Sequence, residues 1–298
     1  MAAAISATRA LAPRGLLERD DEFERLLRAV AAAERGDGAL AVVEGETGIG
    51  KTSLLDAVCA GARERGFSVL RARGGELERD FGFGLVHQLF QAVLAAEAGA
   101  GRAELLEGVA AIVEPIFARH GDVGASPGKD ASFAAQHGLY WLVANLAARA
   151  PLLLCVDDAQ WADPASLRWL VYLARRLEGV PVAVVVAVRS GAANAPAELL
   201  EAVRTEASDT VVPQPLTEAA SARVVRAALG PSADAMFCRA CHETTDGNPF
   251  LLSELLSALA RGDVEASAAG ARRVRELGPS AVRTTLALAA SVSGWGTT

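Results

Sequence analysis

Short, uninterrupted apolar runs alternate along the chain with stretches in which apolar residues recur every three or four positions. The clearest runs are residues 39–43, 152–156 and 182–188, and a stretch with helical spacing follows each of them. Continuous apolar strands that alternate with helices indicate a parallel sheet covered by helices on both faces. We therefore expect an α/β fold.

The same periodicities predict the other elements. Further strands are predicted at residues 67–73 and 210–212, and helices at 21–34, 83–96, 131–148, 164–177 and 197–206. Residues 98–130, rich in Ala and Gly, indicate an insertion of helix and loop. From about Leu216 the pattern is helix after helix. We expect a nucleotide-binding domain at 1–214, a helical subdomain at 215–265 and the start of a winged-helix segment at 266–298.

A glycine-rich loop, residues 45–53, joins the first strand to the helix after it. The spacing of Gly45, Gly50, Lys51 and Thr52 is that of a phosphate-binding loop, in which successive backbone N–H groups turn toward one point. The expected nucleotide contacts are Gly45, Thr47, Gly48, Ile49, Gly50, Lys51, Thr52 and Ser53. The spacing predicts a P-loop NTPase that binds ATP or ADP; the alternative is a glycine-rich turn without a ligand.

Two residues of this loop have distinct expected roles. Lys51 is predicted to reach the β- and γ-phosphates, and the Thr52 hydroxyl to join the coordination shell of Mg²⁺. A dinucleotide fingerprint is disfavoured, because Ser53 stands where a third glycine would be needed.

Two carboxylates, Asp157 and Asp158, follow directly on the buried strand at 152–156. Ligands of open α/β sheets bind at the carboxyl ends of the strands. We expect Asp157 to hold Mg²⁺ through water and Asp158 to orient or deprotonate the attacking water. The alternative is a solvated Asp-Asp turn that caps the next helix. Arg189, which ends the strand at 182–188, is either a γ-phosphate contact or a solvated arginine.

The long separation of Lys51 and Asp157 along the chain leaves room for an intervening strand between the two strands that carry these motifs. That arrangement is typical of P-loop ATPases. Small-molecule P-loop kinases are a rival class, but the basic lid that they would need is not evident after residue 216.

Composition narrows the possible partners. The chain has 298 residues, 51% of them hydrophobic, which is enough for a sizeable core. Its net charge of −7 argues against a general nucleic-acid-binding surface.

The apolar runs are far shorter than the ~20 residues of a membrane helix, and residues 1–10 lack the pattern of a signal peptide. We expect a cytoplasmic protein without membrane contact.

The four cysteines, Cys59, Cys155, Cys238 and Cys241, are too few and too scattered for a disulfide framework. The sequence Cys238-Arg-Ala-Cys241-His242 has the spacing of a c-type haem attachment motif. Haem, zinc and two incidental cysteines of a helix are the three interpretations, and the last is favoured.

Several stretches together resemble one family. Residues 16–23 resemble an N-terminal "GRE-x-E" box, 45–52 the phosphate loop, 156–167 an extended acidic motif and 245–255 a lid motif; 71–78 and 138–145 extend the likeness. The combination resembles the STAND class of signal-transducing ATPases, in particular the large ATP-binding regulators of the LuxR family.

The resemblance implies a nucleotide-operated switch, in which ADP holds a closed state and ATP with an inducer opens it for self-association. It places Pro249 near the base and Arg19 near the adenine; otherwise, Pro249 is a loop proline that starts a helix. Glu18 stands where the box usually has glycine. The resemblance does not identify the inducer.

Members of that family continue into a helical-repeat sensor and a C-terminal helix-turn-helix. We therefore expect this chain to be a fragment or a truncated product that binds no DNA by itself. Three functions stay open: a regulatory module with slow Mg²⁺-dependent ATP hydrolysis, a nucleotide-binding module without turnover, and an origin-recognition-like ATPase that acts on DNA.

Overall fold

The structure, a computed structural model, describes residues 16–97, 99–117, 129–192, 195–261 and 265–276. The strands are β1 (Ala39–Gly45), β2 (Ser68–Arg73), β3 (Leu152–Asp157), β4 (Val182–Arg189) and β5 (Asp209–Val211). The helices are α1 (Asp20–Glu34), α2 (Lys51–Glu64), α3 (Gly84–Ala96), α4 (Ala100–Leu105), α5 (Glu114–Phe117), α6 (Lys129–Arg149), α7 (Pro164–Ala174), α8 (Ala197–Thr205), α9 (Glu218–Leu229), α10 (Ala235–Thr245) and α11 (Pro249–Arg261). Short 3₁₀ turns lie at Glu76–Glu78, Gly108–Val113 and Ala159–Trp161, and residues 268–276 are helical.

The five strands form one parallel sheet in the order β2-β3-β4-β1-β5, surrounded by helices. This confirms the predicted α/β fold. The strand that separates β1 from β3 is β4, which the chain reaches only after Asp157. The expected strand between the two motif-bearing strands is therefore present, although β2, the strand supplied by the residues between Lys51 and Asp157, lies at the sheet edge.

Burial explains why the central strands are apolar throughout. All six residues of β3 are buried, as are all residues of β4 except Arg189. Their side chains point alternately to the two faces of the sheet, so each face needs apolar cover. On one face, Phe90 of α3 and Trp169 of α7 meet edge to face with ring centroids 5.7 Å apart.

Element boundaries differ from the predictions by a few residues. Helix α7 ends at Ala174, three residues before the predicted end at 177, and α6 begins at Lys129, two residues before the predicted start at 131. The start of α7 is fixed locally, because Asp163 accepts a hydrogen bond from the backbone N–H of Ser166 and Pro164 occupies the first turn.

The described residues divide into two compact units. The first contains 22–44 and 52–212, and the second contains 16–21, 45–51 and 213–276. The core of the second unit packs α9, α10 and α11 around Phe237, Cys241 and Leu252. The domain limits 1–214, 215–265 and 266–298 stay predictions, and most of the last range lies outside the described residues. Within the described part, no helix has both the length and the hydropathy needed to cross a membrane.

Candidate functional site

The glycine-rich loop belongs to the second unit and runs from the end of β1 into the start of α2. Gly48 and Gly50 have φ of 79° and 102°, a region that favours glycine. A Cβ atom at Gly48 would lie 2.7 Å from Cβ of Phe250 and 2.8 Å from Oδ1 of Asn248. Gly48 is therefore required by close approach of the α11 start as well as by backbone conformation.

Lys51 is buried and points back at its own loop. Its Nζ donates to the backbone oxygens of Gly45 and Glu46, at 2.8 Å each. The ammonium therefore lies at the glycine-rich loop, which is consistent with its predicted role. Nearby in sequence, Oγ1 of Thr47 is buried without a hydrogen-bond partner among the described residues, so a polar ligand group at the loop would satisfy it.

The side chain of Arg19 contacts the backbone of the glycine-rich loop. Its Nη2 donates to the backbone oxygens of Ile49 at 3.2 Å and Gln214 at 2.6 Å, and its guanidinium is buried. The adenine contact implied by the resemblance stays a prediction. Pro249 is the first residue of α11 and is half-buried, so the structure is consistent with the alternative that it starts a helix.

Glu18 has a backbone conformation that favours glycine. Its φ is 54°, in the left-handed region, which costs a side-chain-bearing residue about 1–2 kcal/mol. Its carboxylate accepts from the backbone N–H of Thr217 at 2.8 Å and from the Thr217 hydroxyl at 2.5 Å. These two hydrogen bonds hold the pKa of Glu18 below its usual value. The carboxylate thus offsets backbone strain with contacts that glycine cannot make.

The first unit carries a hydroxyl–carboxylate pair at the carboxyl end of β3. Oγ1 of Thr52, in the first turn of α2, donates to Oδ2 of Asp157 at 2.7 Å. Oδ1 of Asp157 accepts from the backbone N–H of Asp158 at 2.9 Å. Burial, and then the charge of Asp158, raise the pKa of Asp157. A hydroxyl and a buried carboxylate are oxygen ligands that suit Mg²⁺, and a divalent cation would favour the charged carboxylate.

Asp158 is held on both carboxylate oxygens. Its Oδ2 accepts from Nε of Arg73 at 2.8 Å and from Nη2 at 2.6 Å, and its Oδ1 accepts from Nε2 of Gln160 at 2.9 Å. Its backbone is left-handed, with φ of 49° and ψ of 41°. In this arrangement the carboxylate is oriented by two neighbours, a feature that sequence reasoning missed.

Gln160 links this carboxylate to the next strand. It is buried, and its Oε1 accepts from the backbone N–H of Arg189 at 2.9 Å.

Arg73 is the last residue of β2 and pairs in register with Asp157 on β3. The signal available in the sequence was therefore a polar residue at the end of a neighbouring strand. The γ-phosphate contact of the Arg189 side chain stays a prediction.

The cysteine pattern lies in α10 of the second unit. Cys238 and Cys241 are both buried, and burial raises the pKa of Cys241 to about 12. Nδ1 of His242 lies 3.0 Å from Oγ of Ser221. Within the described residues, His, Cys, Asp and Glu side chains form no group of three or more that could hold a metal ion.

Comparisons with known proteins agree with this geometry. A family profile described as AAA ATPase domain matches residues 15–186, more than half of the chain. No curated protein sequence matches the chain.

Solved structures share the fold at low identity. The Aeropyrum pernix ORC1 protein in complex with DNA has a TM-score of 0.52 and 18% identity, covering 90% of this chain and 68% of that one. The A. pernix ORC2 protein, in ADPNP-ADP complexes, has a TM-score of 0.52 and 18% identity, with 89% and 69% covered. The E. coli MS115-1 HORMA:CdnC:Trip13 complex has a TM-score of 0.53 and 13% identity, with 93% and 92% covered.

Proposed function

Since the chain belongs to the family of AAA ATPase domains, we propose that it is a nucleotide-operated switch, the ATP- and ADP-binding part of a LuxR-type transcription regulator in the cytoplasm. Membership of the family makes it a nucleotide-binding module. The regulatory role is supported by the lid motif at 245–255, the N-terminal box and the extended acidic motif. The family resemblance also supports self-association of the ATP-bound form.

The observation that carries the proposal is the hydrogen bond between Thr52 and Asp157. These residues come from two motifs far apart in the sequence, and folding brings the hydroxyl to the carboxylate. This is the oxygen pair that a Mg²⁺–nucleotide complex needs on the protein side.

Each residue then has one task in the proposed reaction. Mg·ATP, when bound, supplies the phosphoanhydride that water attacks. Lys51 holds phosphate charge, Thr52 and Asp157 hold the metal, and Asp158 orients the water or accepts its proton.

The contacts of Asp158 predict slow hydrolysis. Both carboxylate oxygens are engaged, by Arg73 and Gln160. Each carboxylate oxygen has two lone pairs, so Oδ1, which accepts from Gln160, can still accept a hydrogen bond from water. Arg73 and Gln160 restrict the directions from which water can reach the carboxylate, which suits a switch that changes state rarely. The same contacts favour the second candidate, a module that binds nucleotide without turnover.

Two isosteric variants test the proposal. We expect Asp157→Asn to remove the Mg²⁺ dependence of nucleotide binding, and Asp158→Asn to keep Mg·ADP binding but to lose phosphate release. Asp56→Asn is the matched control, since Asp56 is an exposed carboxylate on α2 paired with Arg71. Equal phosphate release by wild type and Asp158→Asn would contradict the role of Asp158. Nucleotide binding by a wild type that releases no phosphate would favour the second candidate.

A further inference from the structure

The carbonyl side of the glycine-rich loop is held by donors of the same compact unit. Five consecutive backbone oxygens accept hydrogen bonds: Gly45 and Glu46 from Lys51 Nζ, Thr47 from Asn248 Nδ2 at 2.9 Å, Gly48 from the Phe250 N–H at 3.2 Å, and Ile49 from Arg19 Nη2 at 3.2 Å. Three of the donors are side chains, and two of these, Arg19 and Asn248, are distant in sequence from the carbonyls they reach. The loop conformation is therefore set by specific partners as well as by its glycines.

Peptide geometry gives these contacts a consequence. In a trans peptide the C=O and the following N–H point to opposite sides. The donor that holds the carbonyl of Thr47 thus turns the N–H group of Gly48 to the other side, whereas the N–H of Ile49 donates to the backbone oxygen of Glu46 at 3.5 Å. N–H groups that converge on one side of a loop form an anion site.

Asn248 has a double role at this point. Its Oδ1 accepts from the backbone N–H groups of Phe250 at 3.1 Å and Leu251 at 3.3 Å, which caps the start of α11. Its Nδ2 donates to the oxygen of Thr47. The side chain is buried, so water does not readily replace either contact. One residue therefore links the first turn of α11 to the orientation of a loop peptide.

We propose that Asn248, together with Arg19, is a positioning residue for phosphate binding that acts through the loop backbone. The inference rests on the proposed nucleotide-binding function. It gives Arg19 a role at the Ile49 carbonyl, different from the adenine contact that the family resemblance implies. The contact between Asn248 and Thr47 also couples the position of α11 to phosphate binding. A displacement of α11 releases the Thr47 peptide and weakens phosphate binding, and bound phosphate holds α11 in place to the same extent.

The substitution Asn248→Asp separates the two roles of this side chain. Aspartate keeps the acceptor that caps α11 and is an equally good N-cap, but it removes the donor and sets a carboxylate oxygen against the Thr47 carbonyl. The matched control is Asp234→Asn, the reverse exchange at the N-cap of α10, where the carboxylate accepts from the backbone N–H of Met236 at 2.7 Å.

The measurement is the dissociation constant of a fluorescent ADP analogue in the presence of Mg²⁺. We expect Asn248→Asp to weaken binding about tenfold or more, which corresponds to a lost buried hydrogen bond and an added repulsion. Asp234→Asn should bind like wild type. Hydrogen exchange of loop amides 45–51 should be faster in Asn248→Asp than in wild type, a change that a loss of helix capping alone would not produce.

Asn248→Ser is the second variant, in case the aspartate disturbs folding, because serine keeps a short neutral cap and cannot reach Thr47. Wild-type affinity and loop exchange in both variants would overturn the inference and leave the proposed function standing. Failure of the wild type itself to bind the analogue would overturn both.

Discussion

Replacing Lys51 by methionine tests the phosphate-binding loop most sharply. Lys51 is only 8% exposed. Methionine keeps most of the aliphatic stem and removes the ammonium, which donates to the backbone oxygens of Gly45 and Glu46 at 2.8 Å each. The substitution therefore has two separable effects. It removes two charge-assisted hydrogen bonds within the loop, and it removes the charge that would meet phosphate.

The two effects differ in size and in their dependence on ligand. Loss of the loop contacts should lower the free energy of unfolding by about 1–3 kcal/mol, whether or not nucleotide is present. In wild type, ADP at about 100 times its dissociation constant should add about 2.7 kcal/mol. With an unfolding entropy of about 2.1 cal/mol/K per residue, this corresponds to a rise of roughly 4 °C in melting temperature for a chain of this size. The variant should lose this rise.

Thermal melts with and without Mg·ADP measure both quantities. We expect Lys51→Met to melt a few degrees lower without nucleotide and to show no shift when ADP is added. Lys129→Met is the control, the same exchange at the first residue of α6. An ADP shift in Lys51→Met as large as that of wild type would refute the assignment of this loop to phosphate.

Two further predictions concern backbone strain and pH. Gly48→Ala should lower stability more than Gly36→Ala: both have φ near 80°, but a Cβ at Gly48 meets atoms 2.7 Å away and one at Gly36 meets nothing within 4 Å, so overpacking adds about 1–3 kcal/mol. Equal denaturation midpoints would contradict this. Because the contacts with Thr217 lower the pKa of Glu18, its carboxylate stabilises the fold above its usual pKa of 4.5 and ceases to do so as the pH falls through the lower folded value. The stability difference between wild type and Glu18→Gln, measured by denaturant unfolding, should therefore vanish in acid; a constant difference would show that the charge is irrelevant.

The parts of the fold that the sequence predicted depend on local patterns. Strands β3 and β4 are continuous apolar runs because both faces of the sheet are covered. The residues of the phosphate-binding loop, from Gly45 to Lys51, lie within one short stretch of the sequence. The position of β4 between β1 and β3 was not predictable in this way, because strand adjacency depends on how crossovers pack. Sequence order alone favoured a strand from the residues before Asp157 at this position in the sheet.

The missed site contacts have the same origin. Arg73 reaches Asp158 only because β2 pairs with β3 in a register that brings Arg73 beside Asp157. Arg19 reaches Ile49 across thirty positions of sequence. The sequence marks Arg73 only as a polar residue at a strand end, and no periodicity or spacing reveals the partner of either arginine. Glu18 differs from these two, because the family resemblance implies glycine at its position, and glycine is typical of a positive φ, which Glu18 has.

Adenine-nucleotide binding by this AAA ATPase domain is tested most directly by calorimetric titration of the nucleotide-stripped protein with Mg·ADP. The expected result is saturable binding of one ADP per chain, abolished in Lys51→Met. It would be contradicted by a wild-type protein that shows no saturable binding of ADP or ATP up to ~1 mM, the concentration at which even a binding free energy of about −4 kcal/mol would be detected.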